Sequence, residues 1–393
     1  MFVHQQRLRH LLRPHHYRDP DHFIREKQGL FRPSWQFICD DSELPKIGDF
    51  QTMFLLDTPI IVRRHADGVH AFQNICPHRH SMLTCQATGN MPALKCQYHG
   101  WQFKDDGRPS KILEPRAFRP WDRENALLIP VRLEKVGGLY FATLDQELPS
   151  LREWLGQFYE TIEARYSAPA WKMAEAWEFD APCNWKVPIE NTLESYHIAE
   201  VHPTWMGGLL PDEKLSEHTL DDEWTTLRYR GDADPKGRAA WVTKQLGGDV
   251  THFYHHWHIH PNVTFVMTDT FNYMASVVPT GPMTCRVRTR MFPLWGTGGS
   301  PWRHFVRQTA WIVGRRIMKT IFNEDRTVYE AQQRGITHSE HRGVIGIREE
   351  RIYQFQKYVC ERTGVAPEID PAIEAEEISQ QQGQNLSNEE MVS

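Results

Sequence analysis

The stretches Cys76-Pro77-His78 and Cys96-Gln97-Tyr98-His99-Gly100-Trp101 decide the fold of this chain. Each stretch supplies one thiol and one imidazole, and 17 residues separate His78 from Cys96. Around them, short β segments broken by Gly, Pro and Asp run from residue 35 to about residue 148. Two ligand-bearing loops set among short strands predict a small all-β domain that holds a metal centre.

Two metal chemistries use two cysteines and two histidines. A Rieske [2Fe–2S] cluster places two Cys on one iron and two His on the other, whereas zinc takes all four ligands on one ion. Zinc patterns usually group a Cys pair and then a His pair, at wider spacings than Cys-x-His. Mixed pairs on separate loops favour a Rieske cluster held by four residues, Cys76, His78, Cys96 and His99. Such a chain handles single electrons.

Composition sets limits on the class of protein. The 393 residues predict more than one domain, and a net charge of −5 offers no basic field for nucleic acid. No apolar run approaches the roughly 20 residues that span a bilayer. Seven cysteines, two of them assigned to iron, leave an odd five. We therefore expect no disulfide framework, a cytoplasmic protein, and no nucleic-acid or membrane partner.

A second group of metal-binding side chains follows the β region. On a helix, at about 100° per residue, Glu190, Glu194 and His197 share one face. His202 lies about 140° further round, so it joins His197 at one metal only if the helix ends or distorts between them. Pro203 favours such a break, because the residue before a proline avoids the α region. Two His and one carboxylate form the facial triad of non-haem Fe(II) oxygenases.

These motifs resemble a known family. Residues 76–79 and 96–107 closely resemble the Rieske domain of the Rieske non-haem iron oxygenases, and the resemblance extends over roughly residues 17–365. One departure is His80, where the family usually has Gly after the Arg. Respiratory Rieske proteins join one extra Cys in each loop as a disulfide. Here Cys85 has no matching Cys in the second loop, which favours an oxygenase and a buried, unpaired Cys85.

The resemblance also indicates a third iron ligand. Residues 323–335 are similar to the family's third-ligand segment, an acidic pair followed by a helix with a Gln and a Gly. That match implies Asp325 as the ligand, with Glu324 as the runner-up. Without the resemblance, the default interpretation of the two acids is a solvated cluster at a helix start.

The resemblance also implies how electrons move. Glu194, where many members have Asp, matches the bridging carboxylate that links His197 to the Rieske ligand His99 of a neighbouring subunit. This implies a head-to-tail homotrimer. The sequence contains no Gly-rich Rossmann turn and no second set of iron–sulfur cysteines. We therefore expect a separate NAD(P)H-dependent reductase, with or without a ferredoxin, to supply the electrons.

An α+β fold follows from the resemblance. We expect an N-terminal helical segment that packs on the catalytic domain (1–35) and an all-β Rieske [2Fe–2S] domain (36–150). A helix-grip catalytic domain, an antiparallel sheet with long helices, is expected at 151–367. The tail at 368–393 has seven acids and no Lys or Arg, which predicts disorder.

Spacing locates the elements of the second domain. The clearest strands are Val263–Met267, Tyr273–Val278 and Thr284–Phe292. The arginines of the third strand alternate with other residues and predict a solvated face. The expected helices are Trp302–Asn323 and Arg348–Arg362.

A His-rich stretch at 251–260 resembles a metal site in composition. Successive residues of a strand point to opposite faces, so we expect structural or pocket-lining roles there instead. The candidates for the wall of the substrate pocket are His258, Asn262, Phe265 and Met267.

The resulting prediction is the terminal component of a Rieske oxygenase. It uses O₂, an [2Fe–2S] cluster, a mononuclear Fe²⁺ and two electrons to hydroxylate or demethylate a small organic substrate. Glu194 in place of Asp is more similar to the branch that oxidises N-methyl quaternary amines, and 14 Trp residues suit a cationic substrate. One alternative is the alpha subunit of an aromatic-ring cis-dihydroxylating dioxygenase. An alternative of another class is a Rieske electron-transfer protein with an inactive catalytic domain.

Overall fold

A computed structural model describes residues 2–120, 126–204, 211–230, 237–296 and 298–366, and the expected tail at 368–393 lies outside them. The chain forms two compact units. The β unit is Lys27–Ala174, and the α+β unit combines Met1–Glu26 with Glu175–Ser393. The unit boundaries therefore fall after residues 26 and 174, rather than after the expected residues 35 and 150.

The strands of the described residues have at most 7 residues in the β unit and at most 11 in the α+β unit. They are β1 (Leu8–Arg9), β2 (Gln36–Asp40), β3 (Asp49–Leu55), β4 (Thr58–Arg64), β5 (Val69–Gln73), β6 (Thr88–Asn90), β7 (Leu94–Lys95), β8 (Gln102–Phe103), β9 (Pro109–Lys111), β10 (Pro130–Val136), β11 (Leu139–Thr143), β12 (Glu175–Ala181), β13 (Ser216–Leu220), β14 (Trp224–Arg230), β15 (Phe253–Ile259), β16 (Val263–Met267), β17 (Phe271–Gly281), β18 (Thr284–Pro293) and β19 (Val344–Ile345).

The helices differ widely in length. They are α1 (Pro20–Glu26), α2 (Leu151–Leu155), α3 (Tyr159–Ser167), α4 (Lys186–Thr192), α5 (Ile198–Val201), α6 (Arg238–Gln245), α7 (Pro301–His338) and α8 (Glu350–Thr363). A π-helical turn at Lys27–Phe31 continues α1. Within the described part of the chain, every helix is too short or too polar to cross a bilayer.

The β unit contains two antiparallel sheets. The larger has the order β2-β11-β10-β5-β4-β3-β6, and the smaller is β7-β8-β9. A buried apolar cluster that includes Phe72, Leu83 and Trp101 also contains Cys76 and Cys96. The two cysteine-bearing loops therefore rest on the core of the β-sheet part of this unit, as the sequence predicts, and α2 and α3 follow residue 150.

The α+β unit is a seven-stranded antiparallel sheet of order β12-β18-β17-β16-β15-β14-β13. Tyr273 contacts Phe322 of α7, and His256 contacts Arg351 of α8. Tyr273 and His256 both pair with Val266, so they lie on the same face of the sheet. Both long helices therefore cover one face, which is the predicted helix-grip arrangement.

The helix α7 is longer than expected. The sequence predicts its end at Asn323, but it is continuous over 38 residues, Pro301–His338. Its buried residues Phe322, Asp325, Tyr329 and Gln333 recur at i, i+3, i+7 and i+11. The acidic pair therefore lies in the middle of a helix, not at a helix start, and Asp325 is on the buried side.

The arginines of β18 are not a solvated face. Arg286 is half-exposed and pairs with Asp180, but the side chains of Arg288 and Arg290 are only 9% and 1% exposed. Both of these pair with Glu178 of the neighbouring edge strand β12. The expectation was wrong because the acids that cover these arginines come from a strand more than 100 residues away.

Glu350, at the start of α8, is hydrogen-bonded to Val3 and His4 near the N-terminus. Its carboxylate accepts hydrogen bonds from the backbone of Val3 and His4 and contacts the rings of His4 and His218. Burial alone would raise the pKa of Glu350, but these hydrogen bonds outweigh it and lower the pKa to about 2. The ionised group therefore stabilises the fold above its unfolded-state pKa of about 4.3, and this contribution is lost as the pH falls towards 2.

We expect Glu350→Gln to destabilise the protein by about 2–3 kcal/mol at pH 7. The difference in unfolding free energy between the variant and the unchanged protein should shrink as the pH falls from 5 towards 3. Over this range the unfolded chain takes up a proton at Glu350, so the ionised carboxylate of the native state stabilises the fold less. Urea unfolding at several pH values measures this. Glu361→Gln, at an exposed acid of the same helix, is the control. A difference that stays constant over this pH range would contradict the role given to Glu350.

Candidate metal centres

The two cysteine-histidine loops fold into the same backbone turn. In each loop the N–H four residues after the Cys donates to the Cys carbonyl at 3.0 Å, and the Cys N–H donates to the carbonyl five residues on at 2.8 Å. The residue four positions after each Cys has a left-handed backbone conformation, with φ of 57° at His80 and 69° at Gly100. His80 therefore occupies the conformation for which glycine is suited, and this explains the family's usual Gly.

Replacing His80 with Gly should stabilise the β unit by up to about 1 kcal/mol. A non-glycine residue pays about 1–2 kcal/mol in the left-handed region, and the greater freedom of Gly in the unfolded chain offsets part of that gain. Thermal unfolding followed by the visible absorbance of the cluster measures the change. Gly100→Ala, at the equivalent position, should shift stability in the opposite direction; equal shifts in both variants would contradict this account.

The side chains of the two loops converge. The Cys76 and Cys96 residues are 1% and 2% exposed, and the ring centroids of His78 and His99 are 4.6 Å apart. Burial, with a contribution from the neighbouring Cys96 thiol, raises the pKa of Cys76 to about 11. The buried Nδ1 of His78 has no hydrogen-bond partner among the described residues. Two adjoining buried thiols and an unpartnered imidazole nitrogen fit a Rieske [2Fe–2S] cluster.

The two histidines of these loops differ in exposure. The ring of His78 stacks parallel on Trp101, with centroids 4.8 Å apart, and meets the edge of Phe118 at 5.4 Å. His99 is exposed. His99 is therefore the ring that a neighbouring chain can reach. Cys85, expected to be buried, is also exposed.

The second site is built by a break in the chain after α4. The helix ends at Thr192, and His197 and His202 occupy the two ends of the short helix α5. The sequence predicts that the helix ends or distorts between the two histidines, and α5 does end at Val201, with His202 outside the helical region at φ −117° and ψ 47°. A further break follows Thr192, before His197. Glu194 therefore lies in the turn that connects α4 with α5 rather than on a helix.

Two imidazoles and one carboxylate converge on a single point. Asp325 Oδ1 lies 3.6 Å from His197 Nε2 and 3.1 Å from His202 Nε2. This buried oxygen receives no well-aligned hydrogen bond from the described residues. The three ligand atoms lie within 4.8 Å of one another, and no other set of three potential ligands does so in the described ranges. The arrangement fits the facial triad that binds Fe(II).

A carboxylate contacts Nδ1 of each histidine, the ring nitrogen that does not face Asp325. Glu194 Oε1 contacts Nδ1 of His197, and Glu194 Oε2 accepts the His197 backbone N–H at 3.1 Å. Glu324 Oε2 lies 2.8 Å from Nδ1 of His202. Burial alone would lower the pKa of His202, but the carboxylates of Asp325 and Glu324 raise it. With Nδ1 held in this way, Nε2 of both rings is left to face a metal.

Glu324, the runner-up for the third ligand, instead contacts a ligand. We expect Glu324→Ala to weaken Fe(II) binding by roughly 10–100-fold, because it removes the group that orients His202. Glu324→Gln keeps an acceptor oxygen and should lose less. Fe(II) titration of the metal-depleted protein, with the [2Fe–2S] cluster intact, measures the affinity. Glu330→Ala, at an exposed position of the same helix, is the control. Unchanged affinity in Glu324→Ala would contradict the orienting role.

Glu190 does not take part in this site. Sequence spacing put it on one face with Glu194 and His197, but its buried carboxyl accepts hydrogen bonds from Tyr17 Oη at 2.5 Å and Gln356 Nε2 at 2.8 Å. Burial raises the pKa of Glu190. The residue ties α4 to the N-terminal segment and to α8, and its role is structural.

The His-rich stretch contributes to the sheet and its helix contacts. His256 Nδ1 lies 2.8 Å from a guanidinium nitrogen of Arg351, and His258 Nδ1 lies 3.0 Å from Thr264 Oγ1. Burial lowers the pKa of both histidines well below its usual value. Their neutral rings are packed inside the unit.

The four candidates for the pocket wall do not share one face. His258 pairs with Thr264, whereas Trp257 pairs with Phe265. Because opposite residues share a face and successive residues alternate, Phe265 and Met267 point away from the face of His258 that α7 and α8 cover. Asn262 lies in the turn before β16 and donates to the carbonyl of Val277 at 2.9 Å. Phe265 and Met267 are therefore removed from the candidate pocket.

Comparisons with known proteins identify the families of both domains. Residues 34–122 match the model of the Rieske [2Fe–2S] domain, and residues 168–364 match that of the ring hydroxylating alpha subunit (catalytic domain). The chain is 32% identical over 216 residues to the carnitine monooxygenase oxygenase subunit of Escherichia coli K12, which covers 54% of this chain and 57% of the relative. It is 32% identical over 231 residues to the glycine betaine monooxygenase oxygenase subunit of Chromohalobacter salexigens, covering 58% and 50%.

The match to solved structures extends further. The crystal structure of the quaternary ammonium Rieske monooxygenase CntA with L-carnitine has a TM-score of 0.71 and 23% identity, and covers 89% of this chain and 95% of that one. At this identity the likeness concerns the fold. In sequence, the chain spans little more than half the length of the curated relatives it matches.

Proposed function

The chain belongs to the ring hydroxylating alpha-subunit family and contains a Rieske [2Fe–2S] domain, and from this premise we propose that it is the terminal component of a Rieske oxygenase. It uses O₂ and two electrons to hydroxylate or demethylate a small organic substrate. One oxygen atom enters the substrate and the other leaves as water, with two protons taken up. The observation that carries this proposal is the convergence of His197, His202 and Asp325 within 4.8 Å.

His197, His202 and Asp325 would hold an Fe(II) ion, which would supply the activation of O₂. The residues of the chain fix where this happens. His197 and His202 present Nε2 because Glu194 and Glu324 hold their Nδ1 atoms. The carboxylate of Asp325 completes a ligand set of charge −1, which favours a divalent ion and leaves positions free for O₂.

Cys76, His78, Cys96 and His99 would hold the [2Fe–2S] cluster, and His99 would be the ligand nearest to a neighbouring subunit. We propose that Glu194 of one subunit accepts a hydrogen bond from His99 of the next, in a head-to-tail homotrimer. The exposure of His99 supports this, and so does the contact of Glu194 with the iron ligand His197. A separate NAD(P)H-dependent reductase, with or without a ferredoxin, reduces the cluster.

The substrate we favour is a small quaternary amine. The relatives named above act, by their names, on carnitine and glycine betaine. Aromatic rings also lie near the proposed iron site: Trp177 and Tyr273 both contact Phe322, one helical turn before Asp325. The Lys319 ammonium already lies 5.5 Å from the centroid of Trp177. Such rings stabilise a cationic headgroup.

Turnover tests the proposed function. The protein, a reductase, NADH and O₂ are combined with a panel of carnitine, glycine betaine, choline, benzoate and anthranilate. We expect substrate-dependent O₂ uptake with the quaternary amines, and formaldehyde wherever a methyl group is removed. No product from any quaternary amine would contradict the substrate class. Uptake with none of the compounds, in iron-replete protein, would contradict the oxygenase.

The description of the matched catalytic domain favours one alternative substrate class. Ring hydroxylation would appear in the same panel as a cis-diol from benzoate or anthranilate. An electron-transfer protein with an inactive catalytic domain would hold about two iron atoms per chain instead of about three. The converging triad supports the higher number.

A further inference from the structure

Two buried cysteines of the α+β unit lie side by side and have no part in either metal centre. The Sγ atoms of Cys183 and Cys285 are 3.9 Å apart, and both residues are 0% exposed. Cys183 follows β12, three residues before α4 begins. Cys285 is the second residue of β18 and pairs with Ala181. Two thiols from segments far apart in sequence therefore meet in the core.

The surroundings hold Cys183 in place. The next residue, Asn184, donates its backbone N–H to Gln333 of α7 at 2.8 Å and its side-chain amide to the carbonyl of Pro282 at 2.8 Å. Pro282 lies in the turn that leads into β18. The residue beside Cys183 is thus hydrogen-bonded to the turn that precedes the strand of Cys285.

The two thiols are stable as thiols at rest. The contact with Cys183 and burial raise the pKa of Cys285 well above its usual value. The thiolate is the reactive form of cysteine, so a protonated, buried pair reacts slowly. The pair is adjacent and shielded, so oxidation requires an oxidant small enough to enter the core.

We propose that Cys183 and Cys285 are an oxidation site, at which hydrogen peroxide converts the two thiols into a disulfide. One sulfur attacks an oxygen of the peroxide, which gives a sulfenic acid and one water. The second thiol then attacks that sulfur, forms the S–S bond and releases a second water. Two thiols lose two electrons and two protons, and one peroxide takes up both. The sulfurs must close from 3.9 Å to about 2.05 Å to form the bond.

This cross-link would restrain the segment of chain that contains His197 and His202. The segment between the two cysteines contains His197 and His202, and Asn184 is hydrogen-bonded to the helix that contains Asp325. Closing a loop of this length restricts the unfolded chain and so stabilises the native unit. The bond would join the segment that leads into His197 and His202 to β18. Peroxide is added directly in the test, so the result does not depend on the proposed oxygenase function.

The test is peptide mapping of the intact, cluster-loaded protein. After treatment with hydrogen peroxide and removal of the excess by catalase, the protein is denatured, alkylated and digested. We expect one peptide pair joined through Cys183 and Cys285, lighter by two hydrogen atoms than the sum of its parts. Cys360, buried on α8, should remain alkylated in the same sample. Full alkylation of Cys183 and Cys285 after peroxide treatment would overturn the proposal, and so would their separate conversion to sulfinic acids.

Thermal unfolding gives a second measurement that does not require mapping. Peroxide treatment should raise the melting temperature by several degrees, and dithiothreitol should reverse this. The rise should be absent from Cys183→Ser and retained by Cys360→Ser. A rise that persists in Cys183→Ser would also overturn the proposal. If the serine variant does not fold, the mapping of the unchanged protein still decides.

Discussion

Asp325→Ala is expected to remove the mononuclear iron and leave the [2Fe–2S] cluster in place, so that iron falls from about three to about two atoms per chain. The carboxylate is the only anionic member of the converging set, and its Oδ1 lies 3.1 Å and 3.6 Å from the two imidazole nitrogens. Without it, two neutral imidazoles retain a divalent ion weakly. Turnover should fall below detection.

Iron analysis and the visible spectrum of the cluster measure this result together. Glu330→Ala, five residues on along the same helix and exposed, should keep all the iron and the activity. Asp325→Asn separates charge from shape, because it preserves the volume and removes the anion. Retention of about three iron atoms per chain by Asp325→Ala would contradict the assigned triad, whatever happens to turnover.

The sequence was sufficient for the cluster loops because their geometry is local. Cys76 and His78, like Cys96 and His99, are close neighbours in single tight turns. Spacing alone therefore places each thiol near its imidazole. The fact that the two turns meet could not be derived in this way, since it depends on contacts between the two segments, such as the hydrogen bond from the Gln97 N–H to the Leu83 carbonyl at 3.0 Å.

The triad was harder to predict, because Asp325 lies more than 120 residues after His202. The resemblance indicated Asp325 over Glu324. Because the helix was expected to end at Asn323, the helical spacing that separates the two acids was missed. Phe322, Asp325 and Tyr329 lie at i, i+3 and i+7, which is the buried stripe of a continuous helix. Glu324 is about 100° away from that stripe, where it reaches the far nitrogen of His202.

The prediction of the pocket-wall residues was wrong for a reason that applies to β-sheets in general. Strand β16 was predicted with its exact ends, but which of its residues face the iron depends on pairing register. A slip of one residue moves every side chain to the other face. Phe265 and Met267 were therefore placed on the wrong face, although the strand itself was right.

Glu194→Ala is expected to keep both metal centres and lose electron transfer between them. Rates should fall on the order of 100-fold or more, because the carboxylate that joins the two imidazoles is gone. Since Glu194 also holds Nδ1 of His197, some loss of iron affinity is expected. The assay is therefore made on iron-replete protein. Glu194→Gln, which keeps an acceptor oxygen, should retain part of the rate.

A single-turnover experiment separates transfer from chemistry. The cluster is reduced in the absence of O₂, and the protein is then mixed with O₂ and substrate while the visible absorbance reports reoxidation. In the unchanged protein the cluster should reoxidise as product forms. In Glu194→Ala it should stay reduced, although the mononuclear iron is present. Glu200→Ala, at an exposed acid of α5, should behave as the unchanged protein. Reoxidation at the unchanged rate in Glu194→Ala would rule out this carboxylate as the electron path, and with it the reason for assigning the exposed His99 as the exit from the cluster.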